Sequence, residues 1–167
     1  SVIKSQTDML ASAYNINIKY KWGNLPMSKS NVIYLAGGCF WGLEHLMQSL
    51  RGVVDAESGY ANGRSGELAY YDAVCTGLTG FRETVKVEYD TEKVSLETLL
   101  AAYFAVIDPT LINRQGMDMG TQYQTGIYYT DEESRAIVER MAAEEKKKHP
   151  RFYVELRALE NFFPAEE

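Results

Sequence analysis

Cys39 is the residue best placed to do chemistry. It follows Gly37-Gly38 at the close of an apolar run, Val32-Ile-Tyr-Leu-Ala36, and precedes Phe40-Trp41 and a helical pattern. A thiol at that junction sits at the positive end of a helix dipole, beside backbone N–H groups that lack helical partners. Such a place favours the thiolate, the form that attacks electrophiles. The two glycines allow a tight turn and close backbone approach. The competing reading is a small buried hydrophobe, the commonest state of a free cysteine.

Glu83 is the second such residue. Residues 83–89 alternate, with Glu83, Val85, Val87 and Tyr89 on one face and Thr84, Lys86 and Glu88 on the other. The pattern predicts a strand with a carboxyl on its apolar face. Burial disfavours a carboxylate, so Glu83 is a candidate general acid. The alternative is a buried salt bridge to Arg82 or Arg114. Phe40 and Trp41, next to the thiol, can shape a small apolar pocket or simply pack in the core. Tyr70, Tyr71 and Tyr123 lie in or beside loops, where a phenol can donate to a developing oxyanion.

The elements that must hold these groups follow from periodicity. Val32–Ala36 reads as a buried strand. Leu43, Leu46, Met47 and Leu50 recur at helical spacing, and Arg51-Gly52 ends that helix. Val53-Val54 opens a strand toward Tyr60. After strand 83–89, Ser95 caps a helix with Leu96, Leu99, Leu100, Tyr103 and Phe104 inward, and Asp108-Pro109 breaks it. Residues 110–124 form a long polar loop, a feature that in a compact domain is often functional. A strand at 126–129, a helix from Asp131 to about His149 and a strand at 152–159 complete the order β-α-β-β-α-β-α-β. This order predicts an α/β fold in which a sheet is covered by helices. Residues 1–30 read as an extension or linker and 31–167 as the domain.

Composition narrows the function further. The 167 residues carry a formal net charge of −6 and are 46% hydrophobic, which fits a globular domain and argues against a nucleic-acid-coating surface. No apolar run reaches membrane-spanning length. Cys39 and Cys75 form no CxxC, and His45 and His149 have no metal-like spacing. There is no P-loop and no G-x-G-x-x-G. Metal hydrolysis and a dinucleotide-binding fold are therefore poor readings. The first residues show no signal pattern, so the expected location is cytoplasmic, or the cell envelope if a leader or preceding domain has been removed.

Gly37-Gly-Cys-Phe-Trp-Gly42 resembles the active-site signature of the peptide methionine sulfoxide reductase A (MsrA) family. The resemblance continues through Ser58-Gly-Tyr-Ala-Asn-Gly63, Tyr71-Asp-Ala-Val-Cys-Thr-Gly77, Thr79-Gly-Phe-Arg-Glu-Thr84, Asp108-Pro-Thr110 and Asn113-Arg-Gln-Gly-Met-Asp-Met-Gly-Thr-Gln-Tyr123. It implies a two-layer sandwich with a mixed β-sheet and packed helices, ferredoxin-like. It implies Cys39 as nucleophile, Glu83 as acid, Tyr71 and Tyr123 as assisting donors, Phe40 and Trp41 as the holders of the substrate methyl group, and Asp118 as a further site residue. The implied reaction is thiol-dependent reduction of methionine S-sulfoxide, free or in proteins, through a cysteine sulfenic acid. The implied partners are the sulfoxide and thioredoxin or a small thiol, and the implied chemistry uses no metal or organic cofactor.

Phe81 and Ile107 stand where many relatives carry His. The chain stops at Glu167, ahead of the tail that often bears a resolving cysteine. That stop reads as a shortened chain, and a fused methionine sulfoxide reductase B domain in a longer protein would account for it. Cys75 is the only internal candidate resolver, and it sits where the family usually treats cysteine as dispensable. Two other functions compete: a thiol peroxidase, and a non-catalytic module that binds oxidised methionine.

Overall fold

A computed structural model describes residues 30–166 of the chain. The expected extension over 1–30 lies, except for Ser30, outside the described residues. The elements run β1 (Ser30–Ala36), α1 (Phe40–Ser49), β2 (Val53–Ala61), α2 (Tyr71–Val74), β3 (Arg82–Asp90), α3 (Leu96–Val106), β4 (Arg114–Gln115), β5 (Asp118–Met119), β6 (Gly126–Tyr129), α4 (Glu132–Lys146), β7 (Glu155–Ala158) and β8 (Phe162–Pro164). Single 3₁₀ turns occupy Gly66–Leu68 and Thr121–Tyr123.

Six strands form one sheet in the order β7-β6-β1-β3-β2-β8, and β4 and β5 form a separate ribbon. All pairings are antiparallel except β6 with β7, so the sheet is mixed. Alternation sorts the side chains. Ile33 and Leu35 of β1, Val85 and Val87 of β3 and Ile127 of β6 join Leu43 and Met47 of α1, Leu99 and Leu100 of α3 and Val138 of α4 in one core. Tyr34, Ala36, Ala61 and Tyr128 point the other way and make a smaller cluster with Leu159 and Phe162. The molecule is therefore the expected two-layer α/β arrangement, with the three longer helices on one face of the sheet.

Helix ends follow local chemistry. Ser95 caps α3 by accepting from the Thr98 N–H at 3.1 Å, and Asp131 caps α4 by accepting from the Ser134 N–H at 2.7 Å. Helix α4 ends at Lys146 rather than His149, and β7 is shorter than the expected 152–159. Phe81 and Ile107 are core residues. The Phe81 ring meets Phe163 edge-on at 5.9 Å, and Ile107 packs on Gly37.

The long loop is ordered by two glutamines. Gln115 accepts from the Asp108 N–H and donates to the Asp108 carbonyl, each at 2.8 Å. Gln124 accepts from the Asn113 N–H at 2.7 Å and donates to the Tyr153 carbonyl at 2.7 Å. These bonds hold the β4–β5 ribbon, whose Gln115 packs on Gly38 in the turn after β1. Among the described residues, no helix is long and apolar enough to cross a membrane.

Candidate active site

The turn after β1 is fixed from two directions. The buried Tyr103 hydroxyl of α3 donates to the Ala36 carbonyl at 2.6 Å, which pins the end of the strand. Gly37 has no room for a side chain, because a Cβ there would lie 2.7 Å from Ile107 Cγ2. Gly38 has φ of +76°, in the left-handed region that glycine enters freely. Cys39 then occupies the N-cap position of α1 with extended backbone. Its side chain makes no capping bond, and the residue is exposed. The thiol therefore stands free at the start of the helix, as its sequence position predicts.

Glu83 is the second residue of β3 and is 3% exposed. The strand's alternation turns it toward the helices, where its Oε2 accepts from the Phe40 N–H at 3.4 Å. A buried carboxyl thus lies against the backbone of the residue that follows the thiol. Burial is the main cause that pushes its pKa up to about 7. The Phe40 N–H opposes that rise, and the nearby Asp118 charge adds to it. The salt-bridge reading is not met through Arg82, which pairs with Glu155 at 2.8 Å.

Phe40 is buried while Trp41 is 57% exposed. Their rings meet edge-on at 5.0 Å, and Phe40 also lies 5.8 Å from Tyr60. The pair thus forms an apolar surface with one rooted ring and one open ring beside Cys39.

The remaining groups arrive on short elements. Tyr71 opens α2 and is about half exposed. Hydrogen bonding toward Cys75, one helical turn on, is the leading cause that raises the pKa of its phenol. Tyr123 ends the second 3₁₀ turn. Partial burial leads in pushing it up to about 12, with the charges of Glu83, Cys75, Asp118 and Tyr71 adding. Glu83, Cys75, Asp118 and Tyr71 thus all lie within electrostatic reach of Tyr123, and Glu83 itself meets the N–H of Phe40, the residue after Cys39. Both phenols stay protonated at neutral pH and can donate to an oxygen. Among the described residues, no group of three His, Cys, Asp or Glu side chains is placed to share a metal ion.

Two residues near this spot escaped the sequence analysis as site residues. Tyr60 is buried opposite Glu83 in the β2–β3 register. Glu166 accepts from the Tyr60 hydroxyl at 2.9 Å and from the Tyr71 N–H at 2.6 Å. Inward alternation of Ser58 and Tyr60 could have found the first. Nothing local marks the second.

A family model described as peptide methionine sulfoxide reductase matches residues 31–167. The chain belongs to the peptide methionine sulfoxide reductase family. It is 48% identical over 136 residues to the peptide methionine sulfoxide reductase MsrA of Clostridium acetobutylicum, covering 81% of this chain and 83% of that protein. Among solved structures of the family, reduced Mxr1 from Saccharomyces cerevisiae aligns with a TM-score of 0.80 and 33% identity, over 84% of this chain and 82% of that one. Methionine sulfoxide reductase A of Corynebacterium diphtheriae aligns with a TM-score of 0.74 and 32% identity, over 84% and 72%. Mxr1 has also been solved in complex with Trx2; that structure, at 24% identity and a TM-score of 0.61 over 82% and 81%, speaks to the shared fold.

Proposed function

We propose that this chain reduces methionine S-sulfoxide, free and in proteins, to methionine, with a thiol as the ultimate reductant. The observation that carries the mechanism is the buried Glu83 carboxyl, held against the Phe40 N–H beside Cys39 with its pKa raised to about 7. A thiolate attacking the sulfoxide sulfur needs a proton delivered to the oxygen, and a carboxyl that keeps its proton near neutrality supplies it. Cys39 is the nucleophile. Tyr71 and Tyr123 donate hydrogen bonds to the same oxygen, and Asp118 helps keep the Glu83 proton in place by its charge. Phe40 and Trp41 receive the methyl on sulfur. The step converts the Cys39 thiol and the sulfoxide into a Cys39 sulfenic acid and methionine. Two equivalents of an external thiol then return Cys39 to the thiol, releasing water and a disulfide. Thioredoxin or a small dithiol fills that part. Residues 31–167 form the catalytic domain in this reading, and 1–30 an extension or linker.

Methyl, oxygen and attacking sulfur make a three-point arrangement, so only one sulfoxide epimer brings its oxygen to Glu83. With dithiothreitol as reductant, racemic methionine sulfoxide should stop reacting at about half conversion by that geometry, and the Cys39→Ser protein should not turn over. Full conversion of both epimers at similar rates, or turnover without Cys39, overturns the reading.

A further inference from the structure

We infer that Glu166 is a positioning residue of this site: one carboxylate oxygen holds both the Tyr60 hydroxyl and the first N–H of α2, and so sets where Tyr71 stands. The inference rests on the reductase reading above.

The chain delivers Glu166 through β8. That strand pairs with β2 so that Tyr60 faces Phe163, and the Ala165 N–H then bonds the Ser58 carbonyl at 2.9 Å. Glu166 follows directly, with Oε1 2.9 Å from the Tyr60 hydroxyl and 2.6 Å from the Tyr71 nitrogen.

Each bond fills a need. Tyr60 is 1% exposed, and a buried hydroxyl without an acceptor is costly. Helix α2 has four residues, and its N-cap residue Tyr70 offers no side-chain bond. The first N–H of α2 is instead taken by a carboxylate 95 positions away. The oxygen thereby joins two walls of the site. Tyr60 lies beside Phe40 and opposite Glu83, while α2 begins at Tyr71 and is capped at its far end by Cys75.

The arrangement also sorts the phenols. Tyr60 lies close enough to Glu83 and Cys75 for both charges to raise its pKa, after burial and the Glu166 bond. Its proton is nevertheless spent on Glu166, which leaves Tyr71 and Tyr123 as the phenols that can turn a proton to a substrate oxygen. Glu166 does not figure among the influences on Glu83. Its effect is therefore geometric, and an amide oxygen at the same place can accept both bonds.

Two readouts test this. In turnover, Glu166→Ala should lower kcat by about 10- to 100-fold, the scale of a misplaced catalytic group, with KM changed much less and Tm lowered only modestly, as one orphaned buried hydroxyl requires. Glu166→Gln should stay close to the parent. In a Tyr71→Phe background, Glu166→Ala should cost little more. Independently of catalysis, iodoacetamide should label Cys75 faster when Glu166→Ala is added to a Cys39→Ser protein, and Glu166→Gln should not accelerate it. Parent-like kcat in Glu166→Ala overturns the inference, as does an undiminished cost in the Tyr71→Phe background or unchanged Cys75 labelling. A parent chain that reduces no sulfoxide refutes the reductase reading instead, and the labelling then decides on its own whether Glu166 holds α2.

Discussion

Glu83 carries opposite signs for catalysis and for stability. With its pKa raised by burial to about 7, the folded protein keeps a proton that an unfolded chain loses near the ordinary glutamate value of 4.5. Between those values the native state binds more protons, so stability falls as pH rises through that window. Activity as a general acid is lost over the upper part of the same range. Glu83→Gln should slow the sulfoxide step by about 10²–10⁴-fold and remove the descending limb above about pH 7, while resisting heat better than the parent at pH 8. Pre-steady-state methionine release and thermal melts at pH 5 and pH 8 check both. A Gln variant with the parent rate and an intact descending limb would make Glu83 structural. The inward turn of Glu83 was legible because alternation over 83–89 has only two phases. The Tyr60–Glu166 bond was not, because no spacing rule connects residues 106 positions apart.

At the scale of elements, the turn that presents Cys39 is the sensitive part. A Cβ on Gly38 meets two penalties, since φ is +76° and the atom would lie 2.7 Å from Gln115 Cβ. Gly38→Ala should cost roughly 1–3 kcal/mol, combining left-handed strain with overpacking, and turnover should fall with it. Gly42, three residues beyond Cys39 in α1, would carry a Cβ with nothing within 4 Å of it. Gly42→Ala should stabilise by roughly 0.5–1 kcal/mol through helix propensity. Urea denaturation of the two variants separates these signs, and equal effects would refute the account of the turn. The longer elements could be read from periodicity because each repeats its pattern over two turns or several alternations. Helix α2 with four residues, β4 and β5 with two each and β8 with three are too short to show a period. Their places come from contacts across the chain, such as the Gln115 and Gln124 bonds, which only the folded loop creates.

Over the whole molecule, the open question is how Cys39 is restored. Cys39 and Cys75 are both free and exposed, and Cys75 influences the Tyr71 phenol one helical turn before it. We expect Cys75 to be a bystander. After stoichiometric sulfoxide, dimedone should trap Cys39 as a sulfenic acid while Cys75 stays a thiol. A small thiol should then sustain turnover. Mass spectrometry decides between this and internal resolution: a Cys39–Cys75 disulfide, absent in Cys75→Ser, would make Cys75 the resolver and require the two Cα atoms to come within about 7 Å.

Among the described residues, the six-stranded sheet has two borders. One is β7, whose four residues include Glu155 and Arg157; the other is β8, three residues closing on Pro164. Short length, charge and proline are the features that keep an open strand from recruiting a foreign one. A member of this family with sheet borders blunted in this way can work on a protein substrate without offering it an edge on which to co-aggregate.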